Sequence, residues 1–220
     1  SSHARMAIKL ETNIMAELSI LIPARNEPYL QKTIDDIFEH SEADIEVLVG
    51  LDGGKPAVFY SRNDKYARVG ILFNQDAPGQ RICTNRLVQQ TGARFVMKVD
   101  AHCSFSQGFD KRLLEEIDDT TVLSPVLMPL DASSWIVNGK KQMKQFVFDS
   151  NFVMQHVTGE VGDTMCLQGS AWMTSRENYW RWNLGDETLP SWGGQAVELG
   201  IKAFLNGGRC RTTDKAYYGH

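Results

Sequence analysis

Residues 93–105 read ARFVMKVDAHCSF, an apolar stretch that runs directly into an acid and a histidine. The apolar part has the composition of a buried strand, and Asp100 and His102 stand where that strand should end. Residues two apart in an extended chain face the same side, so the carboxylate and the imidazole can converge. Two interpretations are open from this stretch alone: the pair binds a divalent cation, or it caps a strand.

Similar transitions from an apolar run to a polar loop occur on both sides of this stretch. Segments with one apolar face begin near residues 30, 80 and 109 and predict helices between the strands. The resulting β-α-β-β-α-β alternation predicts an α/β fold, a mostly parallel sheet with helices on both faces and its site at the carboxyl ends of the strands. Further strands are predicted at 18–23, 45–51, 68–73 and 121–128.

The second half of the chain is less regular. Residues 165–173 have the pattern of a short strand, and a helix is predicted from Gln195. Its apolar stripe, which predicts the buried face, is Val197, Ile201, Phe204 and Leu205. Because no repeat or linker interrupts the chain, we expect a single domain over 16–220, preceded by a tag or leader at 1–15.

Composition excludes several classes of protein. The net charge is −4, so nothing draws the whole chain to nucleic acid or to an anionic membrane. The four cysteines are widely spaced, which favours reduced buried thiols over a zinc site. No apolar run approaches the ~20 residues of a membrane span, and no signal peptide is visible, so we expect a cytoplasmic protein.

Several polar positions allow both a functional and a structural interpretation. Phosphate-binding G-x-G-x-x-G and Walker patterns are absent, which argues against dehydrogenases and P-loop enzymes. The loop ARNE (24–27) suits a base and ribose, or is a solvated turn. Asp52 accepts from a uracil N–H, or begins its own turn. The YWRW stretch (179–182) stacks sugars or bases, or packs internally.

In their order along the chain, these pieces resemble the nucleotide-diphospho-sugar transferases of the GT-A fold. The closest resemblance is to the polypeptide N-acetylgalactosaminyltransferases and related family 2 enzymes. DAHCSFSQGFDKRLLEEI (100–117) resembles their D-x-H-C metal motif, and WGGQAVELGIKAFLNGG (192–208) resembles their W-G-G-E-N-x-E segment. YYGH (217–220) stands where they carry H-x-G-H.

The resemblance implies a set of site residues. It assigns Asp100, His102 and His220 to Mn²⁺ or Mg²⁺, which would bridge the two phosphates of a UDP-sugar. Trp192 and Gln195 match residues around the transferred sugar, and with Glu198, a candidate substitute for the family's base, they are the predicted catalytic residues. The family's arginine before the second helix is Ala77 here, so Arg81 is taken as the phosphate partner. The predicted donor-binding residues are Pro23, Ala24, Arg25, Glu27, Asp52, Arg81, Asp100, Ala101, Gly169 and Ser170.

The predicted function is a metal-dependent glycosyltransferase that moves a sugar from a UDP-sugar to a hydroxyl. Ala196 stands where inverting relatives hold an aspartate base, so either Glu198 substitutes or the leaving phosphate takes the proton, and we favour retention of configuration. The acceptor is a hydroxymethylated base of phage DNA, contacted by YWRW and the lysines of 140–144, or a protein or glycan hydroxyl. The alternatives are a non-catalytic nucleotide-sugar-binding module and a nucleotidyltransferase.

Overall fold

The computed structural model describes residues 16–53, 67–190 and 193–220. The strands predicted at 18–23, 45–51, 68–73 and 121–128 are confirmed within one residue at each end. The helices are α1 Leu30–His40, α2 Gln80–Val88, α3 Phe109–Glu116, α4 Arg176–Arg181 and α5 Gln195–Leu205. The strands are β1 Leu18–Ala24, β2 Ile45–Asp52, β3 Val69–Asn74, β4 Phe95–Val99, β5 Ser104–Phe105, β6 Thr121–Met128, β7 Leu130–Asp131, β8 Ile136–Val137, β9 Gln145–Phe148, β10 Met154–Val157, β11 Gly162–Thr164, β12 Ala171–Ser175 and β13 Arg209–Gly219.

The central sheet has nine described strands in the order β11-β13-β6-β12-β4-β1-β2-β3, with β5 paired to β13. Strands β3, β2, β1 and β4 are parallel neighbours. Strand β12 runs antiparallel to both β4 and β6, so β6 and its parallel neighbour β13 run in the direction of β4. The carboxyl ends of β1, β2, β4 and β13 therefore meet at one edge of the sheet, as the alternation predicts.

Helices cover both faces of this sheet. Along β1 the side chains alternate, so that Ile20 and Ile22 enter the core under α1 and α3 while Leu21 enters the core under α2, α4 and α5. Ile20, Leu21 and Ile22 are fully buried, which is expected of a central parallel strand covered on both faces. None of the described helices is long and apolar enough to cross a membrane.

The predicted buried stripe of α5 is wrong in its last turn. Phe204 and Leu205 are 78% and 74% exposed, whereas Leu199 and Ala203 are fully buried. The helix lies so close to the segment before β12 that a Cβ on Gly200 would come within 2.1 Å of a main-chain oxygen. This contact turns the Leu199 side of the helix inward and leaves the last turn projecting into solvent.

The strand predicted at 165–173 is confirmed only in its last three residues. Residues 165–170 are not strand, and β12 begins at Ala171. The earlier residues pass under α5, where the Met165 carbonyl oxygen faces Gly200, and the Asp100 amide donates to the Ser170 carbonyl at 2.8 Å. Contacts between distant segments therefore set the conformation of 165–170.

The four cysteines are free and buried, as predicted. Burial raises the pKa of the Cys83 and Cys166 thiols to about 12. Burial likewise raises the pKa of Cys103 and Cys210 well above the usual range. These thiols are therefore protonated and inert at neutral pH.

Candidate metal centre and adjoining pocket

Three side chains from distant parts of the chain meet at the carboxyl edge of the sheet. Asp100 directly follows β4, His102 lies two residues further on, and His220 directly follows β13. Ligand atoms of the three side chains lie within 4.8 Å of one another. The two imidazole rings stack with their centroids 4.7 Å apart, and His220 Nε2 lies 3.2 Å from Asp100 Oδ2. The three side chains are therefore close enough to share one cation.

One nitrogen of this cluster lies close to Asp100 but makes no well-aligned hydrogen bond. His220 Nε2 is buried, and no hydrogen bond from it to the described residues has acceptable geometry. A buried polar atom without a partner is costly and rare in native proteins. A divalent cation would give this nitrogen a partner, and one carboxylate with two imidazoles is a ligand set that divalent transition metals, Mn²⁺ among them, accept. The residues present therefore fit a metal ion.

A carboxylate stands behind one of the two histidines. Glu27, in the loop after β1, brings Oε2 to 3.2 Å from His102 Nδ1. Metal-binding histidines commonly give their second ring nitrogen to a carboxylate, which sets the tautomer and the ring orientation. In this arrangement His102 Nε2 is the nitrogen that is free to bind a cation.

The loop that carries His102 is anchored from the opposite side by Asp36 of α1. Asp36 is 5% exposed and accepts hydrogen bonds from the Phe105 amide at 2.7 Å and from Ser104 Oγ at 2.8 Å. It also accepts from Trp135 Nε1 at 2.8 Å, in the turn between β7 and β8. Buried and fully bonded, this carboxylate fixes the backbone immediately after the candidate ligand.

A buried lysine contacts the candidate ligand from inside the sheet. Lys98 of β4 is 1% exposed, and its Nζ donates to Asp100 Oδ1 and to the Gly169 carbonyl. Burial alone would raise the pKa of Asp100, but the Lys98 ammonium and His220 outweigh it and hold that pKa well below the usual range. Asp100 is therefore an anion whose first oxygen is already engaged.

Sequence reasoning missed Lys98, although a signal for it exists. A lysine inside the apolar run FVMKV, two residues before Asp100, must face the same side of the strand as that aspartate.

A pocket of about 300 Å³ opens beside the metal cluster. Most of the predicted donor-binding residues line it, which brings together the ends of β1, β2 and β4. Gly79 and Gln80, where α2 begins, also line the pocket and were not predicted. Its lining residues are Pro23, Ala24, Arg25, Glu27, Asp52, Gly79, Gln80, Asp100, Ala101 and His102.

Asp52 serves the scaffold as well as the pocket. It is 5% exposed, and its Oδ1 accepts from the Gly79 amide at 3.0 Å, so it holds the start of α2. Gly79 has a φ of +91°, a conformation that favours glycine. Arg25 Nε donates to the Asp52 carbonyl at 3.1 Å, while its side chain stays largely exposed at the mouth of the pocket.

The predicted donor-binding residues Gly169 and Ser170 do not line the pocket. Ser170 is 1% exposed, and its Oγ shares a hydrogen bond with the Tyr218 hydroxyl at 2.8 Å. Gly169 lies against the beginning of α5, because a Cβ there would come within 3.0 Å of Gln195 Oε1. Both residues therefore pack against the metal cluster without lining the pocket, and Gln195 lies next to Gly169.

Arg81 and Glu198, which were predicted to bind phosphate and to act as a base, form a buried ion pair, and neither residue lines the pocket. Each side chain is 3% exposed, and Arg81 Nε and Nη2 donate to Glu198 Oε2 at 3.0 and 2.9 Å. Lys202 Nζ donates to the second oxygen, Oε1, at 2.8 Å. Arg81 also donates to the Pro190 and Gly193 carbonyls. With both ions engaged, Arg81 is not placed as a phosphate ligand nor Glu198 as a base.

The YWRW stretch lies at the edge of the sheet opposite the metal cluster. Strand β12 pairs Ala171 with Val99 and Ser175 with Phe95, so α4 begins at the amino end of β4. Tyr179 is also fully buried. Tyr179 and Trp182 therefore pack internally, whereas Trp180 is 40% exposed at this far edge of the sheet. Trp192, the other predicted aromatic of the site, is outside the described residues.

The chain matches the domain described as Glycosyl transferase family 2 over residues 19–182. It is 28% identical over 213 residues to the putative polypeptide N-acetylgalactosaminyltransferase 13 of Drosophila melanogaster. That match covers 91% of this chain and 37% of the relative, so the chain spans little more than a third of the relative's length.

Solved structures of the same fold include enzymes with bound nucleotides. GalNAc-T7 with UDP, GalNAc and Mn²⁺ superposes with a TM-score of 0.81 at 17% identity, covering 95% of this chain and 44% of that one. The mannosyltransferase PcManGT from Pyrobaculum calidifontis, in complex with GDP-Man and Mn²⁺, gives a TM-score of 0.62 at 15% identity, covering 94% and 57%. These likenesses confirm the predicted GT-A fold, and the domain match shows that the chain belongs to glycosyl transferase family 2.

Proposed function

We propose that this chain is a metal-dependent glycosyltransferase domain that moves a sugar from a UDP-sugar to an acceptor hydroxyl. The observation that carries the proposal is the convergence of Asp100, His102 and His220 beside a pocket at the carboxyl edge of the sheet. Family membership supports the reaction class. The complex of GalNAc-T7 with UDP, GalNAc and Mn²⁺ supports the choice of donor and metal.

Asp100, His102 and His220 would hold Mn²⁺ or Mg²⁺, and the bound cation would stabilise the negative charge of the departing nucleoside diphosphate. Glu27 keeps His102 in the orientation that presents Nε2. The pocket beside the cluster, which Arg25, Asp52 and Ala101 help to line, would receive the nucleotide.

Retention of configuration is the mechanism that the described residues favour. An inverting enzyme needs a carboxylate that takes the acceptor proton. Glu198 is buried in its ion pair, and position 196 is alanine. Among the described lining residues the carboxylates are Glu27, Asp52 and Asp100, and each already has a partner. The oxygen of the leaving phosphate is then the base that remains for the acceptor hydroxyl.

For the acceptor we infer a protein or glycan hydroxyl in preference to a modified DNA base. The aromatic stretch expected to stack on a base lies at the far edge of the sheet, and the net charge is −4. The curated relative is named as a polypeptide N-acetylgalactosaminyltransferase.

A thermal-shift experiment tests the site. UDP at 100 times its Kd stabilises a folded protein by about 2.7 kcal/mol, which for a chain of this size is roughly 5–10 °C in Tm. We expect that rise only when Mn²⁺ is present, and we expect Asp100→Asn or His102→Ala to abolish it. His156→Ala, an exposed histidine outside the cluster, is the matched control. A rise in Tm with UDP that does not depend on Mn²⁺, or no rise in Tm with UDP at all, contradicts the proposal.

A second experiment separates an enzyme from a binding module. A panel of UDP-sugars is incubated with protein and Mn²⁺, and free UDP is measured over hours. Slow hydrolysis of one sugar nucleotide, lost in Asp100→Asn, identifies the donor. Mn²⁺-dependent UDP binding with no turnover of any donor, even with peptide and glycan acceptors added, assigns the chain to the non-catalytic alternative.

A further inference from the structure

Lys98 is the one buried lysine among the described residues, and it touches the candidate metal site directly. The register of β4 sets it between Leu21 of β1 and Trp172 of β12, so its methylene groups lie in the apolar core. Only its ammonium reaches the carboxyl edge of the sheet. There it donates to Asp100 Oδ1 and, at 2.7 Å, to the Gly169 carbonyl.

The two carboxylate oxygens of Asp100 face different neighbours. Oδ1 accepts from Lys98, and Oδ2 faces His220 Nε2 at 3.2 Å. Asp100 therefore has one oxygen available for a cation. The ammonium also offsets the charge of Asp100, the one carboxylate in the triad, so that Glu27, 3.2 Å from His102 Nδ1, is the carboxylate next to the triad that Lys98 does not contact.

We propose that Lys98 is a positioning residue that makes cation binding depend on the diphosphate, an inference that rests on the proposed function. With Lys98 in place, the triad alone attracts Mn²⁺ weakly, because a fixed positive charge lies next to its single carboxylate. A bound diphosphate supplies the missing negative charge, so cation and nucleotide bind as a pair. By linkage, each then raises the affinity for the other by the same factor.

The test is the coupling between Mn²⁺ and UDP, measured by titration calorimetry in four arms. Mn²⁺ is titrated into protein with and without saturating UDP, and UDP is titrated with Mn²⁺ and with EDTA. In the unaltered chain we expect the coupling factor to be on the order of 100-fold, near the upper end of the usual range. In Lys98→Met we expect Mn²⁺ alone to bind at least about tenfold more tightly and the coupling factor to fall by a similar amount.

Matched variants separate this effect from a purely structural one. Lys98→Arg keeps the charge and should keep most of the coupling, whereas Lys111→Met removes an exposed lysine of α3 and should change nothing. A residue that only supported the fold would weaken Mn²⁺ binding when replaced and would not tighten it. If Lys98→Met does not fold, Lys98→Gln removes the charge and keeps a donor for the Gly169 carbonyl.

The two proposals fail in different ways. If the unaltered chain binds UDP without regard to metal, the proposed function itself is overturned. If it binds both together but Lys98→Met, or Lys98→Gln in its place, leaves the coupling unchanged or weakens Mn²⁺ alone, the role of Lys98 is overturned and the metal site stands.

Discussion

Replacing Arg81 by methionine should destabilise the protein strongly. The Arg81–Glu198 pair is 3% exposed on both sides, with nitrogen–oxygen distances of 2.9 and 3.0 Å. Removing one partner of such a pair leaves an uncompensated buried charge and costs about 3–5 kcal/mol. At ~2–4 °C per kcal/mol for a chain of this size, the Tm should fall by roughly 6–20 °C. Lys202, which also contacts Glu198, keeps the expected loss toward the lower end of that range.

The measurements are urea unfolding and thermal unfolding, both followed by circular dichroism, with Arg181→Met as the control. Arg181 pairs with Glu177 across 3.8 Å at the surface, where such pairs contribute at most about 1 kcal/mol. Adding Glu198→Gln to Arg81→Met should recover part of the loss, with a coupling of about 1–3 kcal/mol. If Arg81→Met costs no more than Arg181→Met, the buried ion pair is refuted. If it lowers UDP affinity without lowering Tm, Arg81 is a phosphate ligand after all.

Three further results are expected. Gly200→Ala should destabilise by about 1–3 kcal/mol, since its Cβ would lie 2.1 Å from a main-chain oxygen, whereas Gly139→Ala, with no described atom within 4 Å, should be nearly neutral in the same unfolding assay. The four cysteines should resist a thiol reagent such as DTNB in the native state and all react in urea; rapid native labelling would contradict their burial. Hydrogen bonds from Thr188, with Lys202 nearby, lower the pKa of Asp186 to about 2, so its contribution to stability is complete above about pH 4 and is lost as the pH falls toward 2. Asp186→Asn should therefore lose stability at pH 6 and differ little from the unaltered chain at pH 2.

The strands and the first helices were predictable because each is a local property of the chain. A fully buried parallel strand needs a run of apolar residues, and a helix on its face needs one apolar stripe, and both are visible in segments of fewer than a dozen residues. The expectation failed in α5, where Phe204 and Leu205 continue the apolar period but project into solvent. There the close approach at Gly200 decides the buried face, and periodicity carries no information about that contact.

The candidate site divides in the same way between local pattern and long-range contact. Asp100 and His102 were predictable as neighbours on one side of a strand end, since alternation in an extended chain requires it. The place of His220 in the cluster was predicted only from the resemblance to family 2 enzymes. In the structure it follows from the topology of the sheet. Strand β12 is antiparallel to both β4 and β6, so β6 and its parallel neighbour β13 run in the direction of β4. The carboxyl end of β13 therefore lies at the same edge as that of β4.

Tertiary structure alone decided which charged residues are free to act. Arg81 and Glu198 have the residue types of a phosphate ligand and a base, but they are 117 residues apart in the chain and neutralise each other in the core. Lys98, in contrast, sits inside an apolar strand and reaches the metal site. The residue type tells which charge a side chain can carry. Its partner and its exposure depend on which distant segments pack against it, and these two properties govern its chemistry.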